Sequence, residues 1–165
     1  MKSVISVLAA ALIVVFAGGF TEGQAQRSST GQLALNVTVQ GSCIVTASDV
    51  QFAPYDIGAA SAVNQSSELS VNCNTGLPYS VAIDGGANPG NSRRLAAAGG
   101  SFLDYQLCKD SACSNPWGDG SSFGTAYEGQ GTGAADSVSV YGQIFANQSP
   151  PSGDYTDTVT ITVGW

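Results

Sequence analysis

Apolar and polar residues alternate with a period of two through most of this chain, so the elements it predicts are strands rather than helices. In Gln32–Gln40 the side chains of Leu33, Leu35, Val37 and Val39 fall on one face, and Ala34, Asn36 and Thr38 on the other. Ile44–Phe52 follows, then a loop through Ala53-Pro54-Tyr55-Asp56-Ile57-Gly58. Glu68–Asn74 sets Leu69, Val71 and Cys73 against Ser70 and Asn72, and Tyr79–Asp84 sets Tyr79, Val81 and Ile83 against Ser80 and Ala82. Phe102–Cys108 opposes Leu103, Tyr105 and Leu107 to Phe102, Asp104 and Gln106. In Ser137–Ala146, Val138, Val140, Gly142 and Ile144 share a face; in Tyr155–Trp165, so do Tyr155, Asp157, Val159, Ile161, Val163 and Trp165. Gly85–Asn91 and Ser111–Gly133 are rich in turn residues, and Ala-rich Leu95–Ala98 is too short for a helix before Gly99-Gly100. Short strands with regular turn signals predict an all-β antiparallel sandwich.

Two elements sit awkwardly in that list. Gln32–Gln40 is an amphipathic segment with no hairpin partner nearby, since only Gly41-Ser42-Cys43 separates it from the next strand and no Asn-Gly or Asp-Gly turn is present. The last strand runs to Trp165, with nothing after it to cover its far edge. A surplus strand at one end and a bare edge at the other suggest a head-to-tail contact between copies, which need not close and so makes a fibre. The competing reading makes Leu33–Val39 the first strand of an ordinary closed sandwich.

The first residues set the compartment. Met1-Lys2 is a short basic start, Val4–Phe16 an apolar run, and Gly23-Gln24-Ala25 offers small residues at −3 and −1 of a cleavage site. The run falls short of the ~20 residues that span a bilayer, so an export signal over residues 1–25 is expected in place of an anchor. Residues 26–42 are then an N-terminal extension and residues 43–165 a single domain, with no membrane insertion of the mature chain. Cleavage removes Lys2 and Glu22 together, leaving the formal net charge at −7. With Arg93-Arg94 the only basic cluster, nucleic acid and anionic membrane are poor partners.

Four cysteines in an oxidising compartment suggest two disulfides, for which three connectivities exist. Cys43–Cys73 and Cys108–Cys113 are favoured; the first closes a long loop, worth roughly 3–4 kcal/mol by chain entropy. Zinc is disfavoured because the chain has no histidine and no Cys-x-x-Cys. The lack of histidine also removes the usual general base, and neither Asp104 with Asp110 nor Asp154 with Asp157 has a spacing that selects glycosidase chemistry. Asp154 and Asp157 fit better as caps of the turn into the final strand, guarding its edge. No enzyme activity, cofactor or metal is expected. Trp117, with Phe123 and Tyr127, offers an exposed aromatic platform for a carbohydrate- or surface-binding module; the plainer expectation is that Trp117 covers one end of the core.

The run Gly31-Gln32-Leu33…Val39-Gln40-Gly41-Ser42-Cys43-Ile44-Val45 resembles the mature start of spore coat protein U domain proteins, the domain that also makes the pilin subunits of archaic chaperone–usher systems. Val71-Asn72-Cys73, Tyr79–Ile83, Val140-Tyr141-Gly142-Gln143-Ile144 and Gly153–Val163 resemble it in order and spacing, whereas Gly164-Trp165 departs from the usual single terminal residue. The resemblance implies an incomplete immunoglobulin-like sandwich lacking its last strand. It implies a periplasmic chaperone that lends a strand, and an outer-membrane usher that exchanges it for the extension of the next like subunit, head to tail. On that reading Leu33, Leu35, Val37 and Val39 enter the neighbour's groove. Burial of four such side chains contributes roughly 6–12 kcal/mol before ordering costs. The acceptor groove and chaperone contact are expected at Tyr141, Ile144, Val159, Ile161, Val163 and Trp165. The output is a surface fibre for adhesion and biofilm formation, or alternatively a coat layer on a resting cell or spore.

Overall fold

In the computed structural model, which describes residues 31–121 and 123–165, eight strands are arranged in two antiparallel sheets. They are β1 (Cys43–Ala47), β2 (Val63–Cys73), β3 (Pro78–Ile83), β4 (Arg93–Ala96), β5 (Phe102–Cys108), β6 (Tyr127–Gln130), β7 (Ala135–Ile144) and β8 (Ile161–Gly164). One sheet has the order β1-β2-β7-β5-β4 and the other β6-β3-β8. The export signal expected over residues 1–25 lies outside the described residues.

The core follows from the alternation. Leu69 and Val71 of β2, Tyr79, Val81 and Ile83 of β3, Leu103, Tyr105 and Leu107 of β5, and Val138, Val140 and Ile144 of β7 are buried between the sheets. Long β2 and β7 pair along their whole length, from Val63 opposite Ile144 to Asn72 opposite Ala135. Cys43 is bonded to Cys73 across the β1–β2 pair, with Cα atoms 4.1 Å apart. Cys108 is bonded to Cys113, closing the loop after β5. Gly142 is the one inward position of β7 without a side chain, and the ring of Phe52 occupies the space: a Cβ there would come 2.7 Å from its Cζ.

Three local expectations are corrected. The strand expected over Ile44–Phe52 ends at Ala47, because beyond it the chain leaves β2 and runs on without strand pairing. β4 and β6 had no sequence signal: Arg93-Arg94-Leu95-Ala96 lacks β-formers, and Tyr127–Gln130 is short and holds a glycine. The strand expected over Tyr155–Trp165 is regular only in β8; before it, Thr156 pairs with Ala96 beside β4, so the segment crosses from one sheet to the other.

A buried arginine ties β4 to the other sheet. Arg93, only 1% exposed, donates to the carbonyls of Asp84, Ile83 and Trp117 at 2.7, 2.9 and 2.8 Å. Trp117 is itself fully buried and donates through Nε1 to the Val81 carbonyl at 2.8 Å. The aromatic platform is therefore overturned; the indole is core, because its one polar atom finds a β3 carbonyl between the sheets.

Candidate functional site

Two features stand apart from this well-packed frame. The first is an open cleft of about 1300 Å³ along one side of the sandwich. Its floor is the core itself, through Leu69, Ile83, Leu103, Leu107, Val140 and Ile144. One wall is the continuous run Ala47–Ile57 and the other is Pro150–Val159 with Ile161. Both walls carry unused backbone hydrogen-bonding groups. Among the described residues, β8 pairs with β3 and no other strand. In the opposite wall, Asp49–Tyr55 makes no backbone–backbone hydrogen bond among the described residues. An unpaired edge beside an apolar cleft is a template for one more strand.

The walls are nevertheless held in place. In the first, Val50, Phe52 and Tyr55 pack against the core, and Phe52 meets Tyr105 edge-on at 6.4 Å between centroids. The Gln148 amide donates to Tyr55 Oη at 2.9 Å, tying that wall to the loop after β7. In the second, Asp157 points inward: Oδ2 accepts from Tyr105 Oη at 2.7 Å and Oδ1 from the Ala87 amide at 2.9 Å. Its expected role as a turn cap is thereby corrected, since its strand parity faces it to the cleft. Burial, reinforced by the Asp157 carboxylate, pushes the Tyr105 phenol far above its ordinary range. Asp84 Oδ1 accepts from the Gly86 and Thr160 amides at 2.9 and 2.8 Å. Burial alone would raise the Asp84 carboxyl, but those amides and Arg93 outweigh it and hold it low.

The second feature is the segment before β1. Residues 31–42 form no strand, and Leu33, Leu35, Val37 and Val39 are 83%, 86%, 89% and 79% exposed. Four large apolar side chains on one strand parity, all in water, form a patch that soluble proteins seldom leave uncovered. The extension joins the domain through Gly41, where a Cβ would sit 3.3 Å from the Leu77 methyls and 3.5 Å from Trp165. Ser42 then donates to Asn74 Oδ1 at 2.6 Å and accepts from the Asn74 amide at 3.2 Å.

Of the residues expected to line a groove, Ile144, Val159 and Ile161 meet in the cleft. Val163 packs on the core beyond it, and Trp165 lies 61% exposed beside Gly41. Tyr141 does not reach the cleft: Val140 and Gly142 take the inward positions of β7, so alternation turns Tyr141 to the outer face. The wall Ala47–Ile57 was missed, because Ala47–Phe52 was expected inside a paired strand and Ala53–Ile57 as a loop, and neither reading sets them beside a cleft. Among the described residues, no group of three or more His, Cys, Asp or Glu side chains is placed to hold a metal ion.

The spore coat protein U domain model matches residues 29–162. The chain belongs to that family. No curated protein matches it. Among solved structures, it is similar to a chain in the crystal structure of the CsuC–CsuE chaperone–tip adhesion subunit pre-assembly complex from archaic chaperone-usher Csu pili of Acinetobacter baumannii. The identity is 25% and the TM-score 0.60, over 78% of this chain and 41% of that one. This chain thus spans less than half the length of the chain it matches. Family and neighbour together identify the open-sided sandwich as an incomplete immunoglobulin-like fold of the pilin type.

Proposed function

We propose that this protein is an exported structural subunit, without catalytic activity, that polymerises by donating Gln32–Gln40 to the cleft of a neighbouring copy. One observation carries the reading: the same chain holds a core cleft with two unpaired edges and an exposed apolar stripe of strand period. The fit is dimensional as well as chemical. A nine-residue strand spans ~30 Å, and the cleft walls are runs of similar length. Inserted between β8 and Asp49–Tyr55, the donor backbone would find hydrogen-bonding groups on both sides. Leu33, Leu35, Val37 and Val39 would lie in the cleft over Leu69, Leu103, Leu107 and Ile144 and cover the half-buried Val159 and Ile161, and ladder hydrogen bonds would make the joint slow to open.

A cleft this apolar needs protection before assembly. A periplasmic chaperone would fill it in transit, as the complex containing the structural neighbour suggests, and an outer-membrane usher would exchange chaperone for subunit. The product is a surface fibre supporting adhesion and biofilm formation. The test is size-exclusion chromatography of the mature protein, its Leu35→Asp variant and a form starting at Gly41, each with and without a Gln32–Gln40 peptide. Heat-resistant ladders from the full chain alone, with the shortened form monomeric and stabilised by the peptide, are expected. A stable monomeric full chain that the truncation unfolds would return Leu33–Val39 to its own sheet and overturn the proposal.

A further inference from the structure

The face of the five-stranded sheet turned away from the cleft carries a different chemistry. Strand register sets Asn64 of β2, Gln143 of β7 and Gln106 of β5 side by side. Gln106 Nε2 donates to Gln143 Oε1 at 3.1 Å, and Gln143 Nε2 donates to Asn64 Oδ1 at 2.9 Å. The row therefore has a direction. It ends in an Asn64 amide nitrogen with both N–H groups unspent and begins at a Gln106 carbonyl with its lone pairs unspent, among the described residues. Tyr141, two residues from Gln143 and so ~7 Å away on the same face, stands opposite Ser66. Its ring borders a shallow cavity of about 240 Å³ with Asn64, Ser66, Ser111, Cys113 and Gln143.

We propose that this cavity is a subsite for one neutral sugar residue, read by the amide row and stacked on the Tyr141 ring. The chemistry selects the ligand class. Sugar hydroxyls need donors and acceptors at set positions, which the unspent Asn64 N–H groups at one end of the row and the Ser66 and Ser111 hydroxyls in the lining supply, and the apolar face of a pyranose suits an aromatic ring. Among the described residues no charged side chain lines the cavity, so an anionic or cationic ligand would lose its hydration without a counter-ion. Its volume lies below the ~300–1,000 Å³ of drug-sized sites, which fits a single ring. The far wall is preformed: the Cys108–Cys113 bond closes it, and Asp110 inside it accepts from the Ala112, Ser114 and Asn115 amides. A preformed wall loses little entropy on binding. One open site of this kind binds on the order of millimolar, and repetition along a fibre would raise avidity; that clause alone rests on the polymer reading.

Saturation-transfer NMR on the mature protein, which reports on bound sugar whatever the assembly state, tests the site with glucose, galactose, mannose and N-acetylglucosamine, and with glucuronic acid as a charged control. Transfer to at least one neutral sugar and none to glucuronic acid is expected. Tyr141→Ala and Gln143→Ala should each weaken it roughly tenfold, Ser66→Arg should block it, and Ser137→Ala on the same sheet should leave it unchanged. Thermal melts of all four variants show whether the fold is intact, and the exposed Ser66→Arg keeps the test decisive if Tyr141→Ala unfolds. Absence of transfer from every neutral sugar, or transfer indifferent to Ser66→Arg and Gln143→Ala, would overturn the site. So would loss of self-association in those variants without any sugar signal, which would make the face a lateral contact between copies. None of these outcomes depends on the donor strand.

Discussion

β7 and the segment Tyr155–Gly164 have the same sequence grammar and opposite fates. Both alternate apolar and polar residues, and both point their apolar set inward. In β7, Val138, Val140 and Ile144 are 7%, 6% and 2% exposed, although Val140 and Ile144 lie in the cleft floor, because β2 and β5 flank the strand and wall residues such as Phe52 pack over it. Across the cleft, Tyr155, Val159, Ile161 and Val163 are only half-buried. There β8 has, among the described residues, a neighbouring strand on one side alone. Alternation decides which side chains face inward; the number of neighbouring strands decides whether they are covered. The difference places the less covered part of the core on the Tyr155–Val163 side of the cleft, not in its floor.

A charge placed in each region should break the comparison most sharply. Val140→Asp buries an unpaired carboxylate and should cost at least ~4 kcal/mol, leaving no cooperative melt by circular dichroism. Val159→Asp, on the half-open wall, should melt cooperatively yet fail to bind the Gln32–Gln40 peptide in a calorimetric titration. The two disulfides form a second contrast. Replacing Cys43 and Cys73 by alanine frees β1, beside the cleft, and should cost roughly 3–4 kcal/mol, against roughly 2 kcal/mol for Cys108 and Cys113, whose loop is short. Denaturant midpoints compare them. Arg93→Ala strands the carbonyls of Ile83 and Trp117 in the core and should cost ~2–3 kcal/mol, lowering Tm by roughly 10 °C.

Smaller effects sharpen the picture at the cleft and the outer loop. Tyr105→Phe removes one hydrogen bond to Asp157, should cost ~1 kcal/mol, and should loosen the Pro150–Val159 wall, visible as faster amide exchange there. The same phenol sets a pH limit. Its folded pKa is raised above the unfolded value near 10, so its contribution is intact below pH ~10 and lost as pH rises past it. Tyr105→Phe should flatten that alkaline loss. Asp110 behaves in the opposite sense. The Ser114 and Asn115 amides and side chains hold it down to about 2, so its contribution is intact above the unfolded value near 4 and falls away between there and about pH 2. Asp110→Asn should reduce the acid slope of a melt series.

Much of the fold was legible because a strand half-buried against a core must alternate. Leu69, Val71, Tyr79, Val81, Ile83, Leu103, Tyr105 and Leu107 all lie inward as their parity predicts. β4 was not legible because what buries Arg93 is a set of carbonyls from β3 and the Trp117 loop, distant in sequence. The Trp117 loop misled in one reading because an aromatic among Gly, Asp and Pro looks exposed until a β3 carbonyl is found for its indole nitrogen. Tyr141 lies outside the cleft, as its own strand parity, opposite to Val140, already required.

By itself the sequence determined an all-β chain, the inward face of each long strand, and an apolar stripe at Leu33, Leu35, Val37 and Val39. Those properties are local, since side-chain parity depends only on neighbouring residues. Only the tertiary structure decided that Asp49–Tyr55 and Pro150–Val159 stand apart with a core floor between them, and that Asn64, Gln143 and Gln106 share a row. Each arrangement is a matter of register and strand order between segments dozens of residues apart, where free energy is settled by which surfaces find a partner and which are left open.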